Sequence, residues 1–163
     1  MRTVAKRRRP GRPSRSTVRP AETAGAAIRY IESSALLAAL LESDATALKA
    51  LHAEGRRVTS ALTLAEAGRA IVRARTSNRL APAQERAAVR GLRVFARRCF
   101  LIAVTDTVLA RVGRPFPVEP IRTLDAVHLA TAELLGEPPQ LVTIVTRDTR
   151  VRDNARALGY SVE

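Results

Sequence analysis

The chain predicts an α/β fold with a short, mostly parallel central sheet flanked by helices. Two observations carry that expectation. Short β-rich apolar runs alternate along the chain with longer stretches whose apolar residues recur at helical spacing. One run, LVTIV at 141–145, is apolar almost throughout, as in a strand covered on both faces.

AIRYI (27–31) reads as the first strand, and SSALLAALL (33–41) as a helix with Ser33 or Ser34 available as N-cap. A second helix over 44–54 ends at Gly55, followed by a brief strand RRVTS (56–60). Residues 61–75 form a helix that Thr76, Ser77 and Asn78 break. A basic helix at 82–98 opens with Pro82 in its first turn, where a missing N–H costs nothing. A strand over 99–104, a helix from Thr105 and a proline-rich loop around 113–120 come next. Thr123 then caps a helix that Gly136 and two prolines end. After the strand at 141–145, a helix over 149–158 stops at Gly159, and YSV supplies the last strand.

At 163 residues the chain holds one core-forming domain, expected over 26–163. Aromatics are only 3% and Trp is absent, so Ala, Leu and Val must do most of the packing. Cys99 is the single cysteine, which excludes an internal disulfide or a cysteine-based zinc site. No apolar run approaches the ~20 residues needed to span a bilayer. These features point to a soluble cytoplasmic protein with no membrane contact.

Net charge is +13, unevenly spread. Residues 1–20 hold eight Lys or Arg and no acid, while the other 143 hold 20 basic and 15 acidic residues. The segment 1–25 therefore reads as a basic, disordered arm, because it has too little apolar surface to fold. Within it, Arg9-Pro10-Gly11-Arg12-Pro13 contains the Gly-Arg-Pro core of an AT-hook, with Pro10 in place of the usual basic residue. That motif offers contact with the DNA minor groove. A solvated charged arm with only nonspecific phosphate affinity is the plainer explanation, because three residues in a basic tail match by chance.

Four acids stand at the borders of apolar segments: Glu32 in IRYIESSALL, Glu66 in LTLAEAGRAI, Asp125 in RTLDAVHLA and Asp148 in LVTIVTRDTRV. Carboxylates beside apolar residues are costly unless their charge is compensated. A divalent cation compensates all four at once, and Mg²⁺ or Mn²⁺ prefers oxygen ligands. In an open α/β sheet, sites form outside the carboxyl ends of strands, and these positions can converge there. Each acid also has a plain structural explanation. Asp125 can favour a helix N-terminus, Asp148 can be an N-cap, Glu66 can pair with Arg69, and Glu32 can be a strand-end surface charge. His128, one turn after Asp125, is expected to pack in the core, with ligation or proton transfer as the other role open to it. Asp153 is a peripheral fifth acid.

The segments YIESSALL, TSALTLAEAGRA, RTLDAVHLATA and LVTIVTRDTRVRDNARALG occur in an order that closely resembles PIN-domain ribonucleases of the VapC toxin type, over about 28–162. The resemblance implies a PIN-like fold in which Glu32, Glu66, Asp125 and Asp148 hold one or two Mg²⁺ or Mn²⁺ ions. It implies metal-dependent hydrolysis of RNA phosphodiesters, with structured RNA such as tRNA as substrate. The first acid is usually Asp in that family, and Glu32 is one methylene longer.

An antitoxin protein and a homodimer are the partners the resemblance implies. Helices 33–41 and 61–75 carry Leu36, Leu37, Leu40, Leu64, Ile71 and Val72, and a groove between them is the expected antitoxin seat. Arg147, Arg150, Arg152 and the arginines of helix 82–98 are the expected RNA cradle. The alternative is a noncatalytic nucleic-acid-binding protein, in which a degenerate PIN body carries an AT-hook-like arm.

Overall fold

The computed structural model describes residues 27–163. The arm at 1–25 and its Gly-Arg-Pro motif lie outside the described residues. From Ile28 onward the chain alternates strands and helices. These are β1 (Ile28–Ile31), α1 (Ser33–Leu41), α2 (Ala45–His52), β2 (Arg56–Ser60), α3 (Ala61–Thr76), α4 (Pro82–Arg98), β3 (Phe100–Ile102) and α5 (Asp106–Val112). Then come α6 (Thr123–Glu133), β4 (Val142–Val145), α7 (Thr149–Ala157) and β5 (Ser161–Val162). Among the described residues, no helix is long and apolar enough to cross a membrane.

The sheet has the order β3-β2-β1-β4-β5, and every described pairing is parallel. The chain builds outward from β1 through β2 to β3, then returns to add β4 on the other side of β1. Strand order therefore reverses between β1 and β4, whose ends are in register at Ile31 and Val145. Connections leave the carboxyl ends of these two strands in opposite directions, which opens a crevice there. Glu32 directly follows β1, and Asp148 lies just past β4.

Strand alternation sorts the core into two faces. Ile28, Tyr30, Val58, Val142 and Ile144 face α5, α6 and α7, whose Val108, Val127, Leu129 and Val151 complete that layer. Ile31 and Val145 point the other way, onto Ala35, Leu36 and Ala39 of α1 and onto α2 and α3. Alanine supplies much of both layers, so the helices approach closely without large side chains.

Three local features differ from expectation. Glu32, not a serine, is the N-cap of α1 and accepts from Ser34 N. Thr123 is the first residue of α6 rather than its cap, and Arg122 occupies the cap with no side-chain bond. Among the described residues, α1 packs against α3. Leu36 and Ile71 are both 1% exposed, so these residues fill the core. The apolar cleft lies instead between α1, α2 and α4, with a volume of about 290 Å³, lined by Leu40, Leu48, Leu51, Val94 and Phe95 among others.

Gly55 closes the α2–β2 turn with φ +124°. A Cβ there would lie 2.4 Å from the Ala27 carbonyl oxygen, which accepts from Arg56 N at 2.9 Å and so cannot retreat freely. Backbone strain of this kind costs on the order of 1–3 kcal/mol. Gly55→Ala should therefore lower unfolding free energy by about that much in urea denaturation. A loss too small to measure would show that the turn relaxes without cost.

Candidate metal centre

Glu32 enters the site because β1 ends one residue earlier and α1 starts one residue later. Its backbone N–H still pairs with Val145 O at 3.0 Å, so it sits as the last rung of the sheet. The side chain is only 3% exposed. One carboxylate oxygen accepts from Ser33 Oγ at 2.6 Å. The other accepts from Ser34 N at 3.0 Å, from Thr146 Oγ1 at 2.8 Å and from Ser34 Oγ. Four donors on one carboxylate offset much of the cost of its burial.

Ser34 and Thr146 extend that network to Asp148. Ser34 Oγ accepts from Arg147 N at 2.8 Å and Asp148 N at 3.1 Å, and Thr146 Oγ1 accepts from Asp148 N at 3.0 Å. The turn after β4 is thus fastened to the turn after β1. Asp148 caps α7, with Oδ1 accepting from Arg150 N at 2.8 Å and Val151 N at 3.2 Å.

Asp125 stands in the first turn of α6. Its Oδ2 is buried and has no hydrogen-bond partner. Burial pushes the Asp125 carboxyl above the usual carboxylate range, and the nearby charges of Asp148 and Glu32 push it further. Arg122 and His128 oppose the shift. The ionised carboxylate is therefore disfavoured in the fold.

Glu66 reaches the same place from the second turn of α3. His128 Nε2 donates to Glu66 Oε2 at 2.7 Å and lies 3.7 Å from Glu32 Oε1. The His128 ring is 1% exposed, and its Nδ1 faces the Tyr30 hydroxyl at 3.1 Å. Burial drives the Tyr30 phenol well above its ordinary range, so it keeps its proton and can donate. His128 is buried, as expected, but it also serves as a bridge that holds Glu66 toward Glu32. Oxygens of Glu32 and Glu66 and a ring nitrogen of His128 lie within 4.8 Å of one another.

Glu32, Glu66 and His128 thus form one close group, and Asp125 feels the charges of Asp148 and Glu32, but neither Asp125 nor Asp148 joins that group. Glu32, Asp125 and Asp148 also sit at helix N-termini, whose dipoles favour negative charge. The donor set is dominated by carboxylate oxygen, repels itself, and leaves one buried oxygen unpartnered. Those properties fit a hard divalent cation.

The structural explanations for the acids divide. Asp148 is an N-cap, and its charge still acts on Asp125. Glu66 pairs with His128, and among the described residues no Glu66–Arg69 ion pair forms. Glu32 is buried rather than a surface charge. Asp153 is exposed on α7 and joins none of these contacts. Sequence reasoning missed the roles of Ser34, Thr146 and Tyr30; only their closeness in sequence to Glu32 and Asp148 hinted at them. It also placed Arg147 in the RNA cradle, whereas Arg147 Nε pairs with Asp44 at 3.2 Å.

Comparison with known proteins agrees with this geometry. A PIN domain family model matches residues 29–157. The protein named ribonuclease VapC46 of Mycobacterium tuberculosis is 39% identical over 135 residues, spanning 82% of this chain and 94% of the relative. Ribonuclease VapC35 of the same organism is 38% identical over 137 residues, spanning 82% and 93%. Among solved structures, VapBC2 from Rickettsia felis bound to a promoter DNA fragment superposes with TM-score 0.56 at 14% identity, covering 83% of this chain and 97% of that one. VapBC-1 from nontypeable Haemophilus influenzae gives 0.51 at 13% identity, covering 83% and 96%. On a family match that runs from β1 through α7 and includes Glu32, Glu66, Asp125 and Asp148, and on relatives at 38–39% identity, the chain belongs to the PIN-domain family, on its VapC branch.

Proposed function

We propose that this protein is a divalent-metal-dependent endoribonuclease and the toxin component of a toxin–antitoxin pair. The observation that carries the reading is the self-repelling acidic crevice with the unpartnered Asp125 Oδ2, in a chain whose curated relatives are named ribonucleases. Glu32 and Asp125 are the principal metal ligands, and Glu66 and Asp148 complete the site or orient water. Mg²⁺ or Mn²⁺ suits the oxygen donors. When bound, such an ion lowers the pKa of water and stabilises charge building on a phosphodiester.

The chain's own groups hold this arrangement before substrate arrives. Ser33, Ser34 and Thr146 fix the Glu32 carboxylate, and His128 fixes Glu66. Arg122 stands beside Asp125 and faces solvent, where it can meet a phosphate. Structured RNA such as tRNA is the proposed substrate, acted on in the cytoplasm, with a homodimer as the working form. The family resemblance supports each of these. The basic arm at 1–25 supports a DNA contact by its charge and its Gly-Arg-Pro motif.

An antitoxin partner would seat an amphipathic segment in the cleft between α1, α2 and α4. Val94 is 49% exposed there and Leu48 38%, at the mouth of an apolar depression rimmed by His52, Arg57 and Arg98. Apolar anchors in such a groove are the usual way a helix is captured.

Three outcomes test these assignments. Purified protein should cut RNA in Mg²⁺ or Mn²⁺ and stop with EDTA, and Asp125→Asn should lose nearly all cleavage. Wild-type activity in that variant would remove Asp125 from the centre. In thermal unfolding without metal, Asp125→Asn should be at least as stable as wild type near pH 7. The sign follows from the raised folded pKa: ionised Asp125 opposes folding at neutral pH, and the penalty fades as pH falls through that pKa. Adding Mn²⁺ at a hundredfold excess over Kd should stabilise wild type by about 2.7 kcal/mol, and the variant far less. Equal stabilisation of both would place the ion elsewhere. Finally, Val94→Glu should retain cleavage while escaping inhibition by the antitoxin encoded beside it. Full inhibition of that variant would move the antitoxin seat off this cleft.

A further inference from the structure

The outer face of α3 carries a pair of arginines that the site description does not use. Glu66 turns inward to His128, so Arg69 has no carboxylate one turn back to pair with. Among the described residues, neither Arg69 nor Arg73 forms an ion pair, whereas Arg29, Arg75, Arg111 and Arg147 each meet an acid. Both are exposed. With Val72 and Thr76 they line an open cleft of about 420 Å³.

Helix geometry fixes how this cleft relates to the acidic crevice. Arg69 lies about 4.5 Å along the axis from Glu66, and Arg73 about 10.5 Å, at 1.5 Å per residue. At ~100° per residue, Arg73 returns to within about 20° of the Glu66 direction, and Arg69 lies about 60° to the same side. The two cations therefore lead away from the crevice along one stripe. Val72, 43% exposed, adds an apolar surface that flanks them on the outer side.

The geometry points to a phosphate rail on α3, in which Arg69 and Arg73 bind backbone phosphates of the RNA strand on one side of the scissile bond. The rail rests on the nuclease reading and gives that site a direction for its substrate. A strand laid along α3 brings its polyanionic backbone past two unpaired guanidiniums before it meets the carboxylates, which would otherwise repel it. Arginine suits the role because its charge persists and its donors match phosphate oxygens. Arg69 and Arg73 act as binding residues and take no part in bond cleavage.

Binding of a fluorescein-labelled polyuridylate strand to full-length Asp125→Asn protein, followed against KCl concentration, tests the rail without cleavage. Adding Arg69→Ala and Arg73→Ala should weaken binding on the order of tenfold and lower the log–log salt slope by about 1.4, for two lost single-strand phosphate contacts. Arg69→Lys with Arg73→Lys should restore most of the slope, because a point charge still neutralises a phosphate. In otherwise wild-type protein, the alanine pair should raise KM for polyuridylate while kcat stays within about twofold. An unchanged slope overturns the rail, as does a fall in kcat equal to the rise in KM. A shift of the alanine pair from dimer to monomer also overturns it, by making the stripe a self-association face. If wild-type protein cuts no RNA in Mn²⁺, the nuclease reading itself fails, and that result is separate from the salt slope.

Discussion

A carboxylate at 3% exposure costs several kcal/mol unless its lone pairs are met, and Glu32 meets its own with Ser33, Ser34 and Thr146. Because those donors come from both sides of the switch point, the bonds do more than solvate one charge. They tie the turn after β1 to the turn after β4, which places Asp148 opposite Asp125. Glu32 also caps α1 and carries the last backbone rung to Val145. Removing this carboxylate would free two serines and a threonine at once and loosen the edge on which the other acids stand.

The remaining acids divide between bonds that are satisfied and charge that is not. Asp148 spends one oxygen on capping α7, and Glu66 is paid by His128. Asp125 Oδ2 has no hydrogen-bond partner, and burial and its acidic neighbours raise the cost of ionisation. The fold thus holds like charges together by hydrogen bonds and helix dipoles, yet leaves one deficit that a cation would fill. Glu32 turns back to accept from Ser34 N, as Asp44 and Asp148 do at their own helix starts.

Sequence periodicity revealed the architecture because the strands are short and β1 and β4 are mostly apolar, while most helices are amphipathic or alanine-rich. The acids were legible because charge at the end of an apolar run is unusual. What stayed hidden was pairing across long separations. Ser34 and Thr146 are 112 residues apart, and Glu66 and His128 are 62 apart, so no local pattern joins them. The packing of α1 against α3 stayed hidden for a related reason. Helical spacing identifies apolar faces on α1 and α3, but not whether the two helices pack together, as they do here. Arg147 was misread because its partner, Asp44, lies 103 residues away.

Anomalous diffraction from crystals grown with Mn²⁺ tests the central claim, that the crevice is a cation site built around the unpartnered Asp125 oxygen. A manganese peak about 2.1 Å from Asp125 Oδ2, shared with at least one of Glu32, Glu66 and Asp148, is the predicted result. A peak outside the crevice, or none at saturating Mn²⁺ with the acids well ordered, would contradict it.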